Sequence, residues 1–360
     1  MLIRALLLAD GYRLQYKVLR CTSQLLGSTH VFGSHAAGNL RHSRFCRQFH
    51  LADRDAKFWN EREVEQLNRL CVERRIDVIL PSDSATTGFL SRYGALLARP
   101  IFPVPAGEAF LDLDDKARFA ALCLRLQVPV PVTHLCSDPA EVLQILADAP
   151  REVRFIIKPV DCWGSVGVRR IDPGSDPRAL LDTLTYRPLV LQEFIEGEDA
   201  TTVVFARGGV VLRSVSYQLR DGVVHFFRHE ESVTHSEAIV RALQCDGILV
   251  FDFRITPAGA VRFIECNPRF WYRVELTMLA GANFVAYGLA DDATAEWPVV
   301  RVQPQIAGPR ALMRRLFSPW RLTRTDLRVL RFFLKDPLMY LLQLGRLLSR
   351  EGREADGKRF

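Results

Sequence analysis

The chain has 360 residues, with 48 Lys+Arg, 41 Asp+Glu and 48% apolar residues. That is enough to build two or three packed units, and too apolar for a disordered chain. The positive excess sits at one end: residues 311–360 hold 12 Lys+Arg against 5 Asp+Glu, and the first 310 residues balance at 36 of each. The basic charge therefore gives no ground for a nucleic-acid-binding body. No stretch supplies the ~20 uninterrupted apolar residues of a spanning helix. Eight cysteines include no Cys-x-x-Cys pair, and the apolar run Ala5 to Ala9 ends at Asp10 and reads as a strand, not a secretory signal. Reduced thiols and a cytoplasmic location are expected.

Residues 1–112 alternate strand and helix. Ile3 to Ala9 is a buried-strand run, Tyr16 to Leu26 has helical spacing, and a second strand starts at Thr29. Glu61 to Arg74 is a helix with Val64, Leu67, Leu70 and Cys71 on one face, and Asp77 to Pro81 is a strand. This βαβ pattern predicts an open parallel sheet. Only Asp10 and Gly11 follow the first strand, so no dinucleotide fingerprint is present. Ser82 and Asp83, after the later strand, either line a crevice or cap the next helix.

Leu111 to Lys116 opens a helix with Asp114 or Asp115 as its cap, and Phe119, Leu122, Cys123 and Leu126 as its buried stripe. Prolines at 129 and 131 fix an extended segment, and a short helix follows at Glu141 to Ala147. Arg154 to Pro159 is a strand ending in Lys158. A Gly164-Ser165-Val166-Gly167 loop comes next, and a strand resumes at Val168. Such a loop can turn its amides toward a phosphate, although hairpins also need glycine.

A strand from Leu189 runs into a polar linker ending at Glu198 and Asp199, and Thr201 to Phe205 and Val210 to Tyr217 form a hairpin around Gly208 and Gly209. Residues 218–236 are polar and read as a loop able to close over a substrate, with Ser236 capping a helix to Leu243. A hairpin follows, Ile248 to Ile255 and Val261 to Glu265, turned by Pro257 to Gly259. It sets Asp252 near Glu265, with Asn267 and Arg269 just beyond. Three hard oxygen donors without His or Cys suit Mg²⁺. The same residues also fit a surface hairpin with scattered polar side chains.

These motifs follow a specific order: Asp115-Lys116 on a helix, Lys158-Pro159 ending a strand, Gly-Ser-x-Gly-Val, Gln192-Glu193-Phe194-Ile195-x-Gly197, Asp252-Phe253, then Glu265-x-Asn267-Pro268-Arg269. In that order, from about Leu113 to Ala290, the chain resembles an ATP-grasp domain, and its first 112 residues resemble the Rossmann-like domain that precedes it in that superfamily. The similarity is greatest to the carbamoyl-phosphate-synthase-like and carboxylate–amine-ligase-like branch. The expected fold is α/β and α+β. It comprises a Rossmann-like pre-ATP-grasp domain (1–112), an ATP-grasp domain (113–300, with lobes 113–188 and 189–300) and a basic amphipathic helical tail (301–360).

The resemblance implies residue roles. Lys116 and Lys158 neutralise nucleotide phosphates, with Gly164, Ser165 and Gly167 folding over them. Glu193 lies at the adenine edge, Phe194 and Ile195 offer backbone hydrogen bonds, and Asp199 or Glu198 takes the ribose hydroxyls. Asp252, Glu265 and Asn267 hold Mg²⁺, with Mn²⁺ as the substitute ion, and Arg269 steadies the transferred phosphoryl group. The sequence departs from its relatives at Tyr272-Arg273, where small residues are usual, and at Arg228 to Ser232, where many relatives are glycine-rich. Arg228 and Arg273 are weaker candidate substrate contacts.

The implied activity is ATP-dependent ligation of a small carboxylate to an amine. The alternatives are a bicarbonate-using enzyme that forms carboxy- or carbamoyl-phosphate, and a non-catalytic ATP-binding module at a membrane assembly. A homodimer is a family-level expectation. In the tail, Thr325 to Lys335 reads as a capped helix and Asp336-Pro337 starts another, to about Arg350. Arg324, Arg328, Arg331 and Lys335 are expected on one face, and Leu327, Leu330, Phe333 and Leu334 on the other. Either this hairpin packs on the body, or residues 311–350 meet a helical partner or the inner face of a membrane.

Overall fold

Five consecutive apolar residues, Ala5–Ala9 (β1), are all buried, as a strand covered on both faces requires. In this computed structural model, which describes residues 3–52, 59–160, 167–290, 305–339 and 341–342, β1 lies between two parallel neighbours. Helix α1 (Arg13–Leu26) leads to β2 (Thr29–Gly33), and β3 (Cys46–Leu51) lies outside it. Helix α2 (Glu61–Arg74) returns to β4 (Val78–Leu80) on the other side of β1, giving the order β3-β2-β1-β4. The winding direction reverses between β1 and β4. Their carboxyl ends carry Asp10 and Ser82 to Ser84, the place where open α/β sheets form a crevice. Helix α3 (Ser84–Tyr93) starts there with Asp83 as its N-cap, and α4 (Gly107–Asp114) follows. Strand β3 is not apparent in the sequence because its residues are half polar and none is buried.

Residues 111–200 carry a second sheet. Asp115 caps α5 (Lys116–Arg125), its carboxylate accepting from the Ala117 and Arg118 N–H groups. Then come β5 (Thr133–Cys136), α6 (Pro139–Asp148), β6 (Phe155–Pro159), β7 (Arg169–Ile171), α7 (Arg178–Asp182) and β8 (Leu189–Glu193). The order is β5-β8-β6-β7, antiparallel throughout. Phe155 and Ile157 point into a core with Ile171, Leu181, Leu189 and Leu191. Alternation then turns Lys158 to the opposite face.

The remaining strands form a six-stranded sheet. They are β9 (Glu198–Arg207), β10 (Val210–Arg220), β11 (Val223–Phe227), β12 (Gly247–Ile255), β13 (Val261–Asn267) and β14 (Gln305–Ala307), in the order β13-β12-β9-β10-β11-β14. Helix α8 (Glu230–Leu243) separates β11 from β12. Residues 218–236 are therefore not a lid. They finish β10, turn at Asp221-Gly222, form β11 and enter α8. His229 takes the capping role expected of Ser236, its ring accepting from the Ser232 N–H. Ser236 is buried inside the helix and donates to the Ser232 carbonyl.

By its internal contacts the chain divides into a larger unit (1–110, 201–250, 267–346) and a smaller one (111–200, 251–266, 347–360). Within the larger unit, α9 (Val274–Ala280) brings Glu275 to Lys17 (2.5 Å) and Arg20 of α1, with Arg20 and Glu275 no more than 1% exposed. Helices α10 (Phe284–Leu289), α11 (Pro309–Leu316) and α12 (Arg324–Phe333) complete it.

The tail helix α12 is capped by Thr323 rather than starting at Thr325, in a capping box with Asp326. It buries Val329, Phe332 and Phe333, while Leu327 and Leu334 are exposed. The expected Leu327/Leu334 stripe is thus displaced around the helix. The buried side carries the Phe332 and Phe333 rings, whose centres lie 4.4 Å and 5.0 Å from the Arg20 guanidinium. A helical turn begins at Pro337, and the expected continuation to Arg350 lies outside the described residues.

Candidate active site

Lys158 stands on β6, 3% exposed. Ile156 of β6 pairs with Gln192 of β8, and Gln192 pairs in turn with Thr133 of β5, so the three strands present Lys158, Gln192 and Thr133 on one face. The Lys158 ammonium donates to Gln192 Oε1 at 2.9 Å, and the Gln192 amide donates to Thr133 Oγ1 at 2.9 Å. Lys116, at the first position of α5, donates to the Val160 carbonyl at 3.2 Å and lies 3.8 Å from the Glu265 carboxylate. Burial pushes the Lys158 pKa down to about 8; Glu265 opposes that shift and the charge of Lys116 adds to it. Two cations and a carboxylate in a shielded place form a site of net positive charge suited to a polyanion.

The linker after β8 is held from the side. The Glu193 N–H donates to the Val132 carbonyl and the Phe194 N–H to the Arg154 carbonyl, and Ile195 is half-buried. Arg254 of β12 grips this linker three ways. It donates to the Ile195 carbonyl (2.5 Å), pairs with Asp199 (2.8 Å) and lies 4.6 Å from the Phe194 ring centre. Arg170 lies 5.3 Å from the same ring centre. Arg254 was not among the sequence candidates, although its place two residues after Asp252 puts both on one side of the strand. Glu198 and Asp199 are exposed and belong to β9, not to a linker. Gly167 is in the left-handed region (φ 77°), with its carbonyl accepting from Tyr186 Oη. Gly164 and Ser165 lie outside the described residues.

The hairpin expected to hold a metal is formed. Thr256 N–H donates to the Ala260 carbonyl across a turn with Gly259 at φ 82°, and Phe253 stacks on Phe263. Asp252 is half-buried on β12, and β13 carries half-buried Glu265 and Asn267 two apart. Among the described residues no three His, Cys, Asp or Glu side chains gather as a metal cluster; the expected donors are two carboxylates and one amide. An all-oxygen set fits Mg²⁺ by ligand chemistry.

Within the larger unit, the Arg269 guanidinium is fixed on three sides. Nη2 donates to Asn267 Oδ1 (2.8 Å), Nη1 to the Phe270 carbonyl (3.0 Å) and Nε to Ser84 Oγ (2.7 Å). Ser84, a contact the sequence reading lacked, is the first residue of α3. Next to it the Asp83 carboxylate caps that helix and accepts from Gln15 (2.7 Å) and the Asp10 N–H (3.1 Å). Burial raises the Asp10 pKa and the nearby Asp83 raises it further. Arg228 is exposed and paired with Glu230, and Arg273 is half-buried at the start of α9.

A Rossmann-like sheet followed by two further sheets that carry these motifs is the ATP-grasp fold, with the pre-ATP-grasp domain ahead of it. More narrowly, residues 185–308 match the sequence family described as "ATP-grasp in the biosynthetic pathway with Ter operon". Among solved structures, an ADP complex of N5-carboxyaminoimidazole ribonucleotide synthetase superposes with a TM-score of 0.63 at 10% identity, covering 84% of this chain and 80% of that one. The L-amino acid ligase from Bacillus licheniformis gives 0.58 at 18% identity, covering 81% and 74%. The biotin carboxylase domain of the Hydrogenobacter thermophilus 2-oxoglutarate carboxylase gives 0.60 at 16% identity, covering 86% and 72%; it was solved with MgADP, ADP and bicarbonate. At these identities the likeness is one of fold. No curated protein matches the chain.

Proposed function

We propose that this chain is an ATP- and Mg²⁺-dependent ligase that joins a small-molecule carboxylate to an amine. The observation that carries the reading is the Lys116–Lys158–Glu265 group, where a nearly inaccessible lysine lies beside a second lysine and one carboxylate. A buried charge of this kind costs stability and is accounted for by a polyanionic ligand. The substrate carboxylate attacks the γ-phosphorus, and the bond to the ADP oxygen breaks. The amine then attacks the acyl carbon, phosphate leaves, and the ammonium proton passes to solvent.

Lys116 and Lys158 neutralise phosphate oxygens through both steps, and Arg269, its planar fork fixed by Asn267, Phe270 and Ser84, steadies the transferred phosphoryl group. Phe194 and Ile195 border the adenine, and Glu193, Glu198 and Asp199 serve its edge and the ribose. Asp252, Glu265 and Asn267 would hold Mg²⁺, which supplies charge neutralisation of the phosphates; Mn²⁺ has the same donor preference. Support comes from the L-amino acid ligase among the structural relatives and from the nucleotide complexes of the others.

The test is an ADP-release screen of the purified chain with Mg²⁺ against amino acids, dipeptides and sugar acids. A substrate-dependent signal that Lys158→Ala and Glu265→Ala abolish is expected; wild-type turnover in either variant refutes the assigned roles. The bicarbonate-bound relative favours a second reading, in which bicarbonate is the activated carboxylate. Bicarbonate-stimulated ADP release without any amino acid would select it.

A further inference from the structure

Besides Leu327 of α12 and Leu334 at its end, exposed at 45% and 71%, a run of apolar side chains is exposed at the turn that joins α11 to α12, where Phe317 is 88% exposed and Trp320 is 80% exposed, with Met313 and Leu316 at 45% and 47% just before them. Charge at this turn is one-sided. Residues 309–336 contain eight Arg and Lys and two carboxylates, Asp326 and Asp336. Both carboxylates are buried; Asp326 is paired with Arg315 at 2.7 Å, and Asp336 accepts from Ser43 Oγ at 2.5 Å. Every charge this segment exposes is therefore positive, and Arg314, Arg321 and Arg324 flank the two aromatic residues in sequence, with Arg314 donating to the Asp221 carbonyl.

We propose that the α11–α12 turn is a membrane-docking wedge: Phe317 and Trp320 enter the interfacial layer of an anionic bilayer while the flanking arginines bind lipid phosphates. Aromatic side chains favour the headgroup level, and basic residues around them add affinity only when the surface is negative. A second copy of the chain is a poor occupant, because the same all-positive surface would face itself. The rest of the tail helix already packs on the body through Val329, Phe332 and Phe333, so docking needs no refolding. Among the described residues no helix is long and apolar enough to cross a membrane, which makes the attachment peripheral.

The test is flotation of the full chain with vesicles of phosphatidylcholine alone or mixed with phosphatidylglycerol, at low and high salt, for wild type and for Phe317→Ser/Trp320→Ser. These positions are nearly fully exposed, so the variant keeps its fold, and unchanged circular dichroism and melting confirm that. The expected result is flotation with the mixed vesicles, weakened by salt, and an apparent affinity about a hundredfold lower in the double variant. Recovery at the bottom of the gradient with both vesicle types overturns the proposal, as does flotation of the double variant equal to wild type. Retention on an acidic polypeptide matrix without flotation overturns it too, and assigns the surface to an acidic protein partner.

Discussion

Lys158 offers the sharpest test of whether the buried cationic group exists for a ligand. The lysine is 3% exposed, and burial lowers its pKa from 10.5 to about 8. Below pH 8 both the folded and the unfolded chain carry the charge, and the folded state bears the cost of burying it. Between pH 8 and 10.5 the unfolded chain keeps a proton the folded chain has lost, so this group makes stability rise with pH. At about 1.4 kcal/mol per pKa unit, the rise is about 3 kcal/mol in total. Lys158→Met removes it while keeping much of the side-chain volume. Packing changes and the loss of the Gln192 hydrogen bond shift the variant's stability by nearly the same amount at every pH. The pH dependence of the difference therefore isolates the charge. Urea denaturation with EDTA, at neutral pH and at about pH 10.5, should show the stability of wild type relative to the variant improving by about 3 kcal/mol. A difference independent of pH refutes the buried-charge argument. The same substitution should lower kcat/KM for ATP by about 10²–10³-fold, the scale for losing one oriented donor.

Three further outcomes follow from the geometry. Arg254→Ala should raise the KM for ATP about tenfold with kcat little changed, because it frees the Phe194–Ile195 linker but touches no reacting group; steady-state kinetics separates the two, and a fall confined to kcat would contradict it. Ser84→Ala should lower kcat about tenfold, the scale of one hydrogen bond to a charged group, and leave nucleotide affinity intact. Ser84→Thr should restore activity, and loss of nucleotide binding in Ser84→Ala would mean a structural role instead. Glu275→Gln should destabilise the chain by about 3–5 kcal/mol by leaving the buried Lys17 and Arg20 charges uncompensated. Burial alone would raise the Glu275 pKa, but Arg20 and Lys17 outweigh it and hold it below 4.5. Its contribution is therefore present above that value and lost as the pH falls through the lowered one, so the wild type should lose its advantage over the variant in acid melts.

The parts of the fold that could be read from the sequence are those whose cause is local. The run Ala5 to Ala9, the helix from Glu61 to Arg74 and the strand Phe155 to Pro159 each show their period or their cap within a dozen residues. The order of the motifs likewise points to the buried lysines and to the oxygen donors of the hairpin. The misread parts are polar residues whose partners are distant in the chain. Residues 218–236 look like a solvated loop only if His225, Ser232 and Ser236 are taken to face water. In the fold His225 is a residue of β11, while Ser232 hydrogen-bonds to Thr202 thirty residues away and is fully buried. Arg20 of α1 is buried between Glu275 and two phenylalanines of α12, partners far from it in the chain. Gln192 opens one of the sequence motifs, but its contact is set by the β5-β8-β6 register, which brings its amide oxygen to Lys158.

A polar residue in a sequence states a need for a partner without naming it, and in this chain the partners come from register and from long-range packing. The same logic explains why the two unsatisfied demands stand out once the fold is known. Nearly every buried charge has a close protein counter-ion: Arg20 and Lys17 have Glu275, and Asp326 has Arg315. Among the described residues, Lys158 has the neutral Gln192 amide at hydrogen-bond distance, and the carboxylate of Glu265 lies 3.8 Å from Lys116. On the proposed reading, that excess of positive charge is the part of the structure an anionic ligand would complete, and the exposed Phe317 and Trp320 are the apolar part a membrane surface would cover.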